Sequence, residues 1–243
     1  MNIVITGASK GIGFSIAKIF AAHGHQLFLT SKTKKDLEQA VLDLKNAYPQ
    51  VQLEAFAADL SIASEVHAFT KWCLEKTIPD VLVNNAGIGY FGAIEESEEA
   101  EVRRMFEINV FGLAHMTQAV LPIMRKQRSG HILNIASIGG LRSFPGVGFY
   151  NATKYAVDGL SEALSKEVAP LGIKVTIVAP SGFRTDWAGR SANDSKIVIE
   201  DYASTAGKNK GDIRGYSGNQ PGDPVRAAKA MIQVVETENP PMR

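Results

Sequence analysis

The sequence predicts an α/β fold in which a parallel β-sheet lies between two layers of helices. Short runs of aliphatic and β-branched residues alternate with longer segments in which apolar residues recur at helical spacing. The short runs are mostly apolar throughout, as expected of strands covered on both faces. A glycine-rich turn follows the first run and opens the first helical segment. Together these patterns predict a Rossmann-type doubly wound sheet, a three-layer α/β/α sandwich.

The alternation also places the individual elements. The predicted strands are Ile3–Thr6, Gln26–Ser31, Gln52–Ala57, Val81–Asn84, Gly130–Ala136 and Lys174–Ala179. Helices are predicted from Gly11 onward and over residues 34–48, 61–76, 97–128 with a break near Asn109, 149–169 and 224–238.

Length and composition predict a single domain. The chain has 243 residues, of which 45% are hydrophobic, and this suits one α/β core over residues 1–243. Residues 186–222 are rich in Ser, Asn, Gly and Lys, and so long an interval in a compact domain indicates a substrate lid. The chain ends at Pro240-Pro241-Met242-Arg243, soon after the last predicted helix.

Charge and cysteine content argue against several classes of partner. Lys and Arg number 26 against 25 Asp and Glu, so no broad positive field favours nucleic acid or an anionic membrane. The single cysteine, Cys73, can form neither an internal disulfide nor a zinc cluster, which indicates a reducing cytoplasm and no metal site. No apolar run approaches the roughly 20 residues that a membrane span needs. A small-molecule partner is therefore expected.

A candidate phosphate-binding turn lies directly after the first predicted strand. Its glycines are Gly7, Gly11 and Gly13, and their spacing, Gly-x-x-x-Gly-x-Gly, departs from the commoner Gly-x-Gly-x-x-Gly. Glycines there let the backbone approach a pyrophosphate held at a helix N-terminus, although glycines alone also suit an ordinary turn. The predicted dinucleotide contacts are Gly7, Ser9, Lys10, Gly11, Ile12 and Gly13.

The end of the second strand distinguishes the two nicotinamide cofactors. A carboxylate there would bind the ribose 2′-hydroxyl of NAD and repel the 2′-phosphate of NADP. This chain has Ser31 and Lys32 instead, and Lys10 can approach from the glycine turn. A hydroxyl and two cations give charge-assisted hydrogen bonds to a phosphate. NADP(H) is therefore predicted, and NAD(H) is disfavoured.

A candidate acid/base group lies on the fifth predicted helix. Tyr150 and Lys154 are four residues apart and share a helix face. An adjacent ammonium and an oxidised nicotinamide both favour the phenolate, so the pKa of Tyr150 is expected to fall. Ser137 ends the fifth predicted strand, where its hydroxyl could bond the reacting oxygen. Taken singly, the three also suit a turn cap, a half-buried helix residue and a surface lysine.

These residues belong to a longer pattern, in which the chain resembles the short-chain dehydrogenase/reductases. The motifs, in order, are Thr6-Gly7 to Gly13, Asp59-Leu60, Asn84-Asn85-Ala86-Gly87, Asn109, Ser137, Tyr150-Asn151-Ala152-Thr153-Lys154 and Pro180-Ser181-Gly182 to Thr185. The resemblance covers nearly the whole chain. It departs at Ser181, where the family usually has glycine, and at the C-terminus, which ends before an expected final strand.

The resemblance implies further site residues. It places Asp59 and Leu60 at the adenine, Asn85, Ala86 and Gly87 along the adenosine ribose and the strand end, and Pro180, Gly182, Phe183 and Thr185 around the nicotinamide. It also implies that Lys154 bonds the nicotinamide ribose, that Asn109 anchors a water to Lys154, and that the protein is a homo-oligomer, a dimer or tetramer.

The combined prediction is an NADP(H)-dependent oxidoreductase that interconverts an alcohol and a ketone or aldehyde. Tyr150, Lys154, Ser137 and Asn109 are its predicted catalytic residues. The alternative is a silent NADP(H)-sensing regulator, since fold alone does not establish activity. Aromatic residues near the predicted crevice favour an apolar substrate: Phe91, Phe144, Phe149, Phe183 and Trp187. A charged or polyol substrate would instead implicate Arg142, Arg184 and Arg190.

Overall fold

The protein is built around one parallel β-sheet. The computed structural model describes residues 1–189 and 191–243. The strands are β1 (Asn2–Thr6), β2 (Gln26–Thr30), β3 (Leu53–Ala55), β4 (Val81–Asn84), β5 (Gly89–Phe91), β6 (Gly130–Ile135), β7 (Ile173–Val178) and β8 (Ala192–Asp194). Six of these form the sheet in the order β3-β2-β1-β4-β6-β7, with all neighbours parallel. The predicted doubly wound sheet is confirmed.

Helices cover both faces of the sheet. They are α1 (Gly11–Ala22), α2 (Lys34–Ala47), α3 (Ala63–Lys76), α4 (Glu99–Phe106), α5 (Leu113–Gln127), α6 (Gly148–Val168), α7 (Lys208–Gly215) and α8 (Pro224–Glu236). Residues of α1, α2 and α8 pack with alternate strand residues such as Ile3 and Ile5 in one core cluster. Residues of α3 and α5 pack with Val4 and Leu82 in the other. The alternation of burial along each strand therefore produces the predicted three layers.

The predicted break near Asn109 is a turn of π-helix. Residues Glu107–Gly112 connect α4 to α5 with this wider winding, and Asn109 lies within it. Such insertions are uncommon and often occur at functional sites.

The segment 186–222 is not the plain loop that its composition suggests. It contains short helical turns, α7, and strand β8, which pairs in parallel with β5. Its base is closed by Gly222, whose N–H donates to the carbonyl of Gly182 at 3.0 Å and whose carbonyl accepts from Arg184 N–H at 2.9 Å. The segment is thus an excursion whose two ends meet beside β7.

The C-terminal residues lie along the outer edge of β7. The N–H of Ile177 donates to the Met242 carbonyl at 2.7 Å, and the Thr176 hydroxyl donates to the Pro241 carbonyl at 3.0 Å. Arg243 pairs with Asp158 on α6. Within the described ranges no strand follows α8, and no helix is long and apolar enough to cross a bilayer.

Candidate active site

The carboxyl ends of the parallel strands open into a cavity of about 630 Å³. Parallel strands present their carboxyl ends at one edge, so residues distant in sequence converge there. The predicted residues lining the cavity are Gly7, Ser9, Lys10, Gly11, Ile12, Ser31, Lys32, Asp59, Leu60, Asn85, Ala86, Gly87, Ser137, Tyr150, Lys154, Pro180, Gly182, Phe183 and Thr185. Gly13 and Asn109 do not line it.

The glycine turn lies at one end of the cavity and depends on left-handed backbone. Gly7 has φ +64° and Gly11 has φ +59°, a region that favours glycine. A Cβ on Gly7 would lie 2.9 Å from the Cα of Ala86, so the turn packs closely on the chain after β4. Gly13 is buried against Gly7 and Asn85 and does not line the cavity. It packs under the glycine turn, and its contact with the dinucleotide stays a prediction.

Beyond the turn lies a polar corner at the ends of β2 and β3. The hydroxyls of Ser9 and Ser31 are 2.8 Å apart, and the Lys32 ammonium lies 2.7 Å from the Asp59 carboxylate. Burial acts to raise the pKa of Asp59, but hydrogen bonds from Lys32 and Ser61 outweigh it and leave that pKa below its usual value. The sequence did not indicate this ion pair, because Lys32 follows β2 and Asp59 follows β3, and their contact depends on the pairing of these two strands.

The candidate acid/base group lies at the opposite end of the cavity. Tyr150 and Lys154 are buried on one face of α6, with the Lys154 ammonium 5.8 Å from the centre of the Tyr150 ring. That ammonium donates to the carbonyl of Ile135 at 2.8 Å. The Ser137 hydroxyl oxygen accepts from the N–H of Gly139 at 3.0 Å, and the Tyr150 ring packs beside the same glycine. The three predicted residues therefore lie together on the wall of the cavity.

Burial controls the protonation of this group. It raises the pKa of Tyr150 to about 12, against the opposing hydrogen bond from Ser137. Burial also lowers the pKa of Lys154 to about 8. Among the protein groups alone, desolvation is the largest influence on the pKa of Tyr150. The expected fall in that pKa, which counts an oxidised nicotinamide beside the phenol, stays a prediction. Lowering it needs further positive charge beside the phenol.

Asn109 lies behind the cavity wall. Its Oδ1 accepts from the N–H of Ile88 at 2.9 Å, and its Nδ2 donates to the Ile88 carbonyl at 3.0 Å and to the Thr153 hydroxyl at 3.1 Å. The Thr153 hydroxyl in turn donates to the carbonyl of Tyr150 at 2.8 Å. Asn109 thus joins the π-helix to the chain after β4 and to α6.

Trp187 covers the acid/base group from the excursion. Its ring centre lies 4.9 Å from that of Tyr150 and 5.9 Å from that of Phe91. Of the other predicted aromatic contacts, Phe144 and Phe183 line the cavity, whereas Phe91 and Phe149 pack behind it. The wall beside Tyr150 is therefore largely apolar.

Of the three candidate arginines, the two that the structure describes, Arg142 and Arg184, do not line the cavity. Arg142 is exposed and is not part of its lining. Arg184 donates to the carbonyls of Gln220 and Pro221 and lies 3.7 Å from Asp223. Arg190 lies outside the described residues. Within those residues, no group of three or more His, Cys, Asp or Glu side chains could hold a metal ion.

Sequence reasoning missed several residues that hold the site together. Asn151 donates to the Gly139 carbonyl at 3.0 Å and accepts from the N–H of Phe144 at 2.9 Å, and so fixes the loop after β6. Asn84 and Asn134 are joined by a 2.9 Å hydrogen bond across β4 and β6. An amide side chain at the end of an otherwise apolar strand is the signal that could have identified this pair.

Comparison with known proteins identifies the family. The family model for short chain dehydrogenases matches residues 1–196, which is most of the chain. The chain belongs to the short-chain dehydrogenase family, and the resemblance in its motifs is confirmed.

Curated relatives of similar length are oxidoreductases. One is the oxidoreductase BOA17 of Botryotinia fuckeliana, with 35% identity over 98% of this chain and 86% of that protein. Another is the 3-ketodihydrosphingosine reductase of Bacteroides thetaiotaomicron, with 37% identity over 99% of this chain and 86% of that protein.

Solved structures share the fold and include both nicotinamide dinucleotides. A short-chain dehydrogenase from Streptomyces avermitilis has 41% identity and a TM-score of 0.90, over all of this chain and 86% of that one. One from Sphingobium yanoikuyae, in complex with NADPH, has 28% identity and a TM-score of 0.81, over 98% and 85% of the two chains. One from Burkholderia phymatum, in complex with NAD, has 27% identity and a TM-score of 0.85, over 96% and 85%.

Proposed function

We propose that the protein is an NADP(H)-dependent oxidoreductase that interconverts an alcohol and the corresponding ketone or aldehyde. The observation that carries this proposal is the grouping of Ser137 and Tyr150 in one cavity with the buried Lys154 ammonium, which lies 5.8 Å from the centre of the Tyr150 ring. This group lies in the same cavity as the glycine turn. Membership of the short-chain dehydrogenase family supports the same reaction class.

In the proposed reaction Tyr150 holds the proton that the substrate oxygen exchanges. The nicotinamide, when bound, supplies or accepts the hydride. In the reductive direction the Tyr150 phenol donates its proton to the carbonyl oxygen, and the Ser137 hydroxyl donates a hydrogen bond that orients that oxygen. The Lys154 ammonium lowers the cost of the resulting phenolate, and Asn109 supports α6 through Thr153. Asn109 is also proposed to hold a water beside Lys154.

The residues of the cavity suit a dinucleotide. Gly7 and Gly11 bring the backbone into reach of a pyrophosphate at the start of α1, whose N-cap makes no side-chain hydrogen bond. At the polar corner, Ser9, Ser31 and Lys32 supply hydroxyls and a cation for a 2′-phosphate. This chemistry favours NADP(H) over NAD(H), although both occur among the similar structures.

The substrate is proposed to be a mainly apolar carbonyl or alcohol. Phe144, Val147, Trp187 and Ile213 line the cavity around Tyr150, as is usual for small-molecule sites. In this role residues 186–222 serve as the substrate lid.

The test is NADPH oxidation by the wild-type protein and Tyr150→Phe across straight-chain ketones of increasing length. We expect kcat/KM to rise with each methylene until the cavity fills, by up to about 0.8 kcal/mol each. Tyr150→Phe should lose at least about 100-fold in kcat while binding NADPH nearly as well.

The competing function predicts a different result. An NADP(H)-sensing regulator without catalytic activity would bind NADPH tightly and reduce none of the ketones. A Tyr150→Phe variant that keeps more than about a tenth of wild-type kcat would exclude Tyr150 as the acid/base. Faster turnover of polyols than of every apolar ketone would exclude the substrate class while leaving the reaction class intact.

A further inference from the structure

Arg214, in the last turn of α7, makes an unusual set of contacts. Its guanidinium donates to the backbone carbonyls of Ala188, Gly189 and Ala192, and it pairs with the Asp194 carboxylate at 2.8 Å. The same group lies 4.7 Å from the centre of the Phe91 ring. Three carbonyls from one short stretch of chain thus converge on a single side chain, whereas Arg184 holds the base of the excursion instead.

These contacts hold the chain that directly follows Trp187. Ala188 and Gly189 directly follow Trp187, and Ala192 begins β8. Gly89 leaves room for the indole, because a Cβ there would lie 2.7 Å from Cζ2 of Trp187. Among the described contacts the indole makes no hydrogen bond of its own, so its position over Tyr150 depends on ring packing and on the backbone that Arg214 holds.

We propose that Arg214 is a positioning residue: it holds Trp187 over Tyr150 and so determines how tightly the substrate oxygen is enclosed at the acid/base group. The proposal rests on the proposed function, since it assigns Tyr150 the proton transfer. Arg214 touches Phe91, Asp194 and backbone carbonyls and does not line the cavity, so it acts only through the chain that it holds.

The chemistry of the guanidinium explains why arginine suits this place. It presents five N–H donors in a planar fork, which can satisfy several carbonyls at once while its face packs on an aromatic ring. A lysine keeps the charge but is a compact point donor on a flexible stem. A glutamine keeps two donors and loses the charge. Arg214→Lys and Arg214→Gln therefore remove different parts of the interaction.

The experiment uses the fluorescence of Trp187 to report how well its indole is shielded from solvent. In a Trp72→Phe background Trp187 is the one remaining tryptophan, and its exposure is measured by acrylamide quenching. Arg214→Gln, Arg214→Lys and the control Lys208→Gln are compared in that background. Lys208 lies on the same helix and pairs with Asp212 at the surface. Thermal unfolding, NADPH titration, and kcat and KM for the best ketone of the panel are measured alongside.

We expect Arg214→Gln to raise the quenching constant about two-fold and KM for the ketone about 10-fold, as loss of charge-assisted hydrogen bonds implies, with NADPH affinity nearly unchanged. Arg214→Lys should recover part of both effects, and Lys208→Gln should match the background protein. A lower unfolding temperature with unchanged quenching and KM would overturn the proposal, because Arg214 would then be only structural.

The two proposals can fail separately. If Arg214→Gln does not fold, the quenching constant and KM of Arg214→Lys are compared with those of the background protein instead. Unchanged values in that folded variant would overturn the positioning role. The quenching measurement needs no turnover. Unchanged quenching in an active enzyme therefore contradicts only the role of Arg214, whereas an active Tyr150→Phe variant contradicts the proposed function.

Discussion

Lys32 illustrates how far a single residue could be predicted from sequence. Its position after β2 indicated a cation near a 2′-phosphate, and the structure does place it on the cavity wall. The sequence could not show that Asp59, at the end of the next strand, would lie 2.7 Å from it. That contact depends on strand order. Lys32 therefore neutralises a carboxylate and can also face a phosphate.

Lys32→Ala is expected to weaken NADPH binding about 10-fold or more and NADH binding much less. The substitution removes a charge-assisted contact and leaves the Asp59 carboxylate free to repel the 2′-phosphate. Fluorescence titration with both cofactors measures the preference. Lys34→Ala is the matched control, because Lys34 is exposed and lies 3.8 Å from Glu38 on α2. Equal losses for NADPH and NADH would show that Lys32 does not select the cofactor.

At the scale of elements, the sequence predicted the position of the break between α4 and α5 but not its conformation. Asn109 is a poor residue for a helix interior, so the sequence indicated a break there. The π-helical winding could not be predicted, because it depends on partners distant in sequence. Ile88 follows β4 and Thr153 lies on α6, and both bond the Asn109 amide.

Asn109→Ala should lower both stability and turnover. It removes the described partner of the partly buried N–H and carbonyl of Ile88, at a cost of about 1–3 kcal/mol in the free energy of unfolding. The value of kcat should fall by more than the loss of folded protein explains, since the Thr153 hydroxyl and α6 lose a hydrogen-bonded support beside Tyr150. Urea unfolding and kcat are the measurements. Asn46→Ala, at an exposed position of α2, should change neither. Wild-type kcat in a folded Asn109→Ala protein would remove Asn109 from the proposed machinery.

The excursion was the least predictable element. Its Ser, Gly and Asn content suggested a loop, yet it contains α7 and β8. These elements are held by contacts rather than by local propensity: β8 pairs with β5, and Arg214 bonds the carbonyls of Gly189 and Ala192. Contacts of this kind leave no periodic pattern in sequence.

For the molecule as a whole, the parallel sheet and its layers followed from the apolar runs and their spacing. Buried polar groups within the core did not follow from these patterns. His131 on β6 is buried, its Nε2 lies 3.0 Å from the Thr176 hydroxyl, and its Nδ1 has no partner among the described residues. Burial, and secondarily the charge of Lys174, lower the pKa of His131 to about 4.

This histidine should make folding sensitive to acid. The folded state holds it neutral, whereas the unfolded chain binds a proton near its ordinary pKa of about 6.5. The resulting stability is complete above that pH and is lost as pH falls towards the folded-state pKa of about 4. Between pH 7.5 and 5 the loss should be about 2 kcal/mol. Urea unfolding at the two pH values should show it in the wild type but not in His131→Gln.

His67→Gln is the control for that measurement. His67 is exposed on α3, so the variant should keep the wild-type dependence on pH. An identical loss of stability in wild type and His131→Gln would assign the acid sensitivity to other groups.

The meeting of Gly182 and Gly222 at the base of the excursion has a consequence for how such a protein can diversify. Nearly forty residues leave and rejoin the framework at one point, so insertions or replacements between them need not disturb the sheet. The framework retains the residues proposed to bind the cofactor and to exchange the proton. Recombination between homologues could therefore replace the excursion as one unit. The product would act on different substrates by the same reaction.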